Sequence, residues 1–152
     1  MEPKIVTKPA FKVVGMKYRG KSGGDEIKEL WGAFMGRMHE IKYAVGDMVS
    51  YGVSTDFDYE TKVFDYIACI AVELIEEVPQ GMVSLDIPQG TFAVFTTTLP
   101  TMMESYDHAY HTWLPQSGYA KSEQPDYEEY GPSFDPEDPN SEFQFYVPIN
   151  KV

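Results

Sequence analysis

Apolar positions recur along this chain with two periods. The segment from Ile5 to Tyr18 contains Phe11-Lys12-Val13-Val14-Gly15-Met16 and reads as a strand, bounded by Pro9 and the Gly20 to Gly24 region. A helix follows. Ile27, Leu30, Trp31, Phe34, Met38 and Ile41 share one helical face, and Asp25 and Glu26 stand at its start, where the dipole favours acids. Asp47 to Val53 and Val63 to Ile75 read as strands, joined by a polar loop around Asp56-Phe57-Asp58-Tyr59-Glu60. The same order then returns. Near-identical turns, Val78-Pro79-Gln80-Gly81 and Ile87-Pro88-Gln89-Gly90, bracket a short strand from Met82 to Ile87, and Thr91 to Thr98 is the next. A helix from Thr101 to Gln116 aligns Met102, Tyr106, Tyr110 and Trp113. Asp126 to Gly131 and Glu142 to Ile149 close the pattern as strands.

The two halves align at an offset of 79 residues. Tyr51-Gly52-x-Ser54 meets Tyr130-Gly131-x-Ser133, Asp47 meets Asp126, Phe64 meets Phe143, Trp31 meets Tyr110 and Phe34 meets Trp113. An internal duplication of strand-helix-strand-strand units predicts one α+β domain over residues 1–152, with halves of about 1–76 and 80–152. The expected architecture is an antiparallel sheet with two main helices on one face. Apolar residues on both alternating sets, such as Tyr66 and Ile67, point either to a ligand groove on the face opposite the helices, near the pseudo-twofold axis, or to a two-layer core with exposed tyrosines.

Charge and chemistry narrow this further. The net charge of −12 opposes direct nucleic-acid binding and attracts cations. The single cysteine, Cys69, sits in an apolar run and reads as a core thiol. The N-terminus carries no signal-peptide pattern, and no apolar stretch approaches the length of a membrane span, so a cytoplasmic protein without membrane contact is expected. His108 and His111 are three apart but lack a third ligand. The Asp56 to Glu60 loop has Thr61 where a calcium loop wants Gly. No metal and no cofactor is expected. The 14% aromatic content, with 11 tyrosines, fits either an enlarged core or a binding cavity.

An ordered set of motifs resembles the GyrI-like domains. It comprises Tyr51-Gly52, Phe64-Asp65-Tyr66-Ile67-Ala68-Cys69, Pro88-Gln89-Gly90-Thr91-Phe92-Ala93, Trp113-Leu114-Pro115-Gln116-Ser117-Gly118-Tyr119, Pro125-Asp126-Tyr127-Glu128-Glu129-Tyr130 and Phe145-Tyr146-Val147-Pro148-Ile149. These are the effector-binding halves of multidrug-sensing activators of the MerR and AraC types, and they also occur alone. The resemblance spans the whole chain and implies a duplicated strand-helix-strand-strand fold with an aromatic pocket. It places a glutamate from an aromatic-Glu-x-Tyr strand at the pocket floor. Glu128 takes that position, and Trp31, Tyr66, Tyr110, Trp113 and Tyr146, with Tyr51 and Phe95, match the walls. A second acid, Glu129, stands beside it on the opposite side of the strand.

The expected function is binding of lipophilic, cationic small molecules by a stand-alone sensor or sequestering protein. A buried carboxylate is costly without a partner, and aromatic faces attract cations. At the 79-residue offset Glu128 corresponds to Val49, giving one charge in a roughly symmetric apolar cavity. Two alternatives stand beside it. One is hydrolysis of cyclopropane-containing cytotoxins, with Glu128 as general base and Tyr146 polarising the electrophile. The other is a gyrase-inhibitor role resting on the acidic surface, with an unspecified protein partner. No helix-turn-helix is evident, so DNA contact would need a separate partner.

Overall fold

A computed structural model describes residues 2–152. Among them nine strands form one antiparallel sheet. The first half supplies β1 (Lys4–Lys8), β2 (Phe11–Gly20), α1 (Glu26–Arg37), a 3-10 turn (Met38–Glu40), β3 (Ser50–Thr55) and β4 (Phe64–Val72). The second supplies β5 (Val83–Ile87), β6 (Gly90–Thr98), a second helix, β7 (Tyr119–Lys121), β8 (Asp126–Tyr130) and β9 (Glu142–Lys151). The first predicted strand is two strands. The break falls at Pro9, which has no amide hydrogen to give a ladder. The second helix is α-helical over Met102–Asp107 (α2), widens to a π-helix over His108–Trp113, and ends in a turn, Leu114–Gln116 (α3). Among the described residues no helix is long and apolar enough to cross a membrane.

The strand order is β1-β6-β9-β8-β3-β4-β2-β5, with β7 also on β9. Each half gives its first strand to the other. β1 pairs with β6, and β5 pairs with β2, in equivalent registers: Lys8 faces Gly90 as Ile87 faces Phe11. The offset of 79 therefore holds for the first two strands of each half. It drifts afterwards. Lys12 faces Val72 where Thr91 faces Ile149, so β9 follows β4 by 77 residues. Gly52 faces Ala68 where Glu128 faces Phe145, so β8 follows β3 by 76. The match of Tyr51-Gly52-x-Ser54 to Tyr130-Gly131-x-Ser133 is thus not a structural one. Tyr51 corresponds to Tyr127, and Glu128 corresponds to Gly52 rather than Val49. In the helices the buried positions are Leu30 and Phe34 in α1, against Ser105 and Ala109 in the second helix. Matching the two fully buried positions, Phe34 and Ala109, makes Tyr106, not Tyr110, the counterpart of Trp31.

Three apolar clusters fill the molecule. Leu30 and Phe34 of α1 pack on Val14, Phe64, Tyr66, Ala68 and Val72 from β2 and β4. The second helix packs Tyr106, Ala109, Tyr110 and Trp113 on Phe95, Phe145 and Val147 from β6 and β9. These strand residues share one alternating set, so both helices lie on one face. The opposite set, including Tyr51, Ile67, Cys69, Phe92, Tyr127 and Tyr146, is buried as well. Val6 of β1 and Val83 and Leu85 of β5 pack against it, so the curled ends of the sheet cover this face without a helix. Each helix covers its own outer strands, and the central pair, β3 and β8, lies between them.

Candidate functional site

Glu128 sits on β8 at the centre of the sheet, directly across from Gly52 of β3. Because each is the other's counterpart, the pseudo-twofold axis runs through this pair. Alternation sends Asp126, Glu128 and Tyr130 to the helix side and Tyr127 and Glu129 to the other, so the carboxylate lies on the helix face. The opposite face, where the sequence leads one to expect the groove, is packed as core around Tyr51, Tyr127 and Tyr146. The carboxylate of Glu128 accepts three phenolic hydrogen bonds: from Tyr66 (2.8 Å) and Tyr130 (2.7 Å) at Oε1, and from Tyr106 (3.0 Å) at Oε2. Tyr66 in turn accepts the indole N–H of Trp31 at 3.0 Å. Two residues away, Asp126 Oδ2 accepts the Tyr110 hydroxyl at 2.7 Å. Tyr106 and Tyr110, one helical turn apart, hold their rings 14° from parallel with centroids 6.4 Å apart.

The floor needs glycine at position 52. A Cβ there would stand 2.0 Å from the Tyr66 hydroxyl and 2.7 Å from Glu128 Oε1. Any side chain would expel the hydroxyl that anchors the carboxylate. Trp31 also meets Tyr130 edge-on at 5.5 Å between centroids. The Glu128 carboxylate is enclosed by protein, while the residue as a whole keeps partial solvent access.

Burial pushes the Glu128 carboxyl above its ordinary range. The hydrogen bonds from Tyr130, Tyr66 and Tyr106 oppose that rise, and the charge of Asp126 adds to it. Burial also raises Asp126, against the pull of Lys121 and the Tyr110 hydroxyl. Among the described residues no Lys or Arg reaches ion-pair distance of Glu128. Burial first, and then Glu128 itself, push the hydroxyls of Tyr66, Tyr106 and Tyr130 well up, so they remain proton donors. The arrangement holds a carboxylate among tyrosine hydroxyls and aromatic rings.

Of the residues singled out in the sequence, Trp31, Tyr66 and Glu128 meet directly, and Tyr110 joins through Asp126. Phe95 and Trp113 pack against each other under the second helix at 5.5 Å, on the same face. Tyr51 and Tyr146 lie on the opposite face. Tyr146 donates to Glu129 Oε2 at 3.3 Å, and Glu128 and Tyr146 are not brought together. The sequence reading passed over Gly52, Tyr106, Asp126 and Tyr130. Tyr130, two residues from Glu128 on the same strand, was legible from alternation alone. Tyr106 was hidden by the aligned helix offset. His111 pairs with Asp107 at 2.9 Å, and the Asp58 carboxylate caps the amides of Glu60 and Thr61 in its own loop. A shallow depression of about 670 Å³, lined by Pro88, Lys121, Glu123 and Asn150 among others, lies away from Glu128 and gathers no comparable chemistry.

Comparison with known proteins places this geometry. Residues 4–149 match the profile of Cass2, the integron-associated effector binding proteins. The transcriptional regulator BrlR of Pseudomonas aeruginosa is 39% identical over 152 residues, which cover 98% of this chain and 56% of BrlR. The chain therefore spans little more than half of that relative. The integron cassette protein VCH_CASS2 of Vibrio cholerae shares the fold with a TM-score of 0.69 at 17% identity, over 98% of this chain and 96% of that one. SAV2435, solved with bound tetraphenylphosphonium, superposes with a TM-score of 0.73 at 12% identity, over 99% and 94% of the two chains. With its two helices flanking a central carboxylate strand, the chain belongs to the Cass2 family of integron-associated effector binding proteins, within the GyrI-like effector-binding domains.

Proposed function

We propose that the space between the two helices binds lipophilic, cationic small molecules, with Glu128 as counter-ion and Trp31, Tyr66, Tyr106 and Tyr130 as aromatic surroundings. One observation carries this reading: an enclosed carboxylate oriented by three tyrosine hydroxyls, without a Lys or Arg partner among the described residues. Phenols orient a carboxylate but do not neutralise it, and a ligand cation does. The tetraphenylphosphonium complex of SAV2435 supports the same ligand class. In this reading the protein senses or sequesters such compounds, alone or as the effector-binding part of a regulator. A hydrolytic role for Glu128 would need Tyr66, Tyr106 or Tyr130 as its acid partner, since Tyr146 is on the other face.

Tetraphenylphosphonium titration tests this. The cation is expected to bind at micromolar strength and to change tryptophan fluorescence, because a ring-sized ligand displaces Trp31 from Tyr130. Glu128→Gln removes one member of an enclosed charge pair. That costs on the order of 2–5 kcal/mol, roughly thirty-fold to several thousand-fold in affinity. Glu129→Gln, on the other face, changes little, and neutral triphenylphosphine oxide is indifferent to Glu128→Gln. Equal tetraphenylphosphonium affinity in wild type and Glu128→Gln defeats the proposal.

A further inference from the structure

A second carboxylate lies on the same face of β8, under the same helix. Asp126 and Glu128 are alternate residues of β8, so their Cα atoms stand about 7 Å apart on one side of the strand. Each is held by a phenol of the second helix, Glu128 by Tyr106 and Asp126 by Tyr110. One helical turn separates the two tyrosines, and two strand residues separate the two acids. The near-parallel tyrosine rings match this spacing. Asp126 is enclosed like Glu128 and keeps a similar partial exposure. The two acids also sense each other, because the charge of Asp126 bears on Glu128 and both bear on Tyr106.

Two enclosed carboxylates so close repel each other when both are charged. A monocation at Glu128 relieves one of them. A ligand with a second positive centre one strand-repeat away relieves both. Surface acids would accept such a ligand loosely. Here Tyr110 fixes the second acid from the helix, and the separation selects the distance between the ligand's charges. Lys121 lowers Asp126 through its charge, and it does not form an ion pair with it.

We propose that Asp126, positioned by Tyr110, is a specificity-determining residue that makes the site prefer compact dications, such as bis-quaternary or diamine-bearing aromatic compounds, over monocations of the same shape. The proposal rests on the reading of Glu128 as counter-ion and adds the second charge to it.

Ethidium and propidium provide the test. They share a phenanthridinium ring, and propidium carries a further quaternary ammonium on a three-carbon arm. Wild-type protein is expected to bind propidium at least about tenfold more tightly than ethidium, which corresponds to roughly 1.4 kcal/mol. Asp126→Asn should erase that preference, read as the ratio of propidium to ethidium affinity falling to about one. Glu128→Gln should weaken both dyes. A preference that persists in Asp126→Asn would come from the overall charge of −12 and would overturn the proposal. Ethidium binding that ignores Glu128→Gln would instead defeat the counter-ion reading itself. If Asp126→Asn does not fold, a crystal structure of the wild-type propidium complex decides. The arm's ammonium beside the Asp126 carboxylate supports the proposal, and an arm in solvent overturns it.

Discussion

Gly52 and Glu128 show how closely single residues set this site. A methyl group at position 52 overlaps the hydroxyl of Tyr66, a residue with only 3% of its surface exposed. Gly52→Ala is expected to cost about 1–3 kcal/mol by overpacking, read as a lower Tm, and to weaken cation binding by more than tenfold. Glu128 behaves in the opposite way. Its folded pKa lies above the unfolded value of about 4.3. As the pH climbs from that value through the raised folded one, the enclosed group must ionise, and it progressively destabilises the ligand-free protein. Glu128→Gln is therefore expected to melt no lower than wild type near pH 7. Any advantage should fade in acid, where the wild-type carboxyl is already neutral. Cation affinity runs the other way. It should fall on acidification with a midpoint above about 4.3, whereas a neutral ligand should show no such fall.

At the scale of elements, the two helices make unequal contributions. α1 anchors through Phe34, fully buried between β2 and β4, so Phe34→Ala should cost about 3–5 kcal/mol in urea denaturation. The second helix presents small residues, Ser105 and Ala109, at its buried positions, and it opens into a π-helix just after Tyr106. Small residues bring its backbone close to the sheet. Tyr106 and Tyr110 flank these positions, packing on the core while their hydroxyls reach Glu128 and Asp126 of β8. The hydrophobic period showed both helices and most strands, because burial on one stripe or one alternating set leaves a direct mark on the sequence. It did not show the break at Pro9 as two separate strands, and β7 has only three residues to mark it. It also could not show the drift in offset from 79 to 76, which arises from short length changes in connecting loops. That drift is why Glu128 was paired with Val49, and why Tyr106 was passed over for Tyr110. Strand partners, unlike periods, are set by tertiary packing.

On the scale of the whole molecule, the exchange of β1 and β5 makes the halves interdependent. Residues 1–76 lack the outer neighbour of β2, and residues 80–152 lack the outer neighbour of β6. Alone, each would expose an unpaired edge and the apolar face that Val6, Val83 and Leu85 cover. The two fragments made separately should show little cooperative melting by circular dichroism. Mixed, they should recover a single transition. Independent melting of either half would show that the exchanged strands are dispensable. The intact chain should unfold in one step, since no part of the sheet is closed without both halves.

The self-paired position at the centre of the sheet also bears on how such a protein could arise. In a symmetric homodimer of one strand-helix-strand-strand unit, a residue on the axis would face its own copy. A glutamate there would meet a second glutamate, and a glycine would meet a glycine. Neither gives a lone, well-held negative charge on the axis. Joining two copies in one chain releases them from identity, so one can keep the small residue that makes room while the other gains the acid that fills it. Covalent fusion thus permits what a pair of identical subunits cannot: a single charge at the point of highest symmetry.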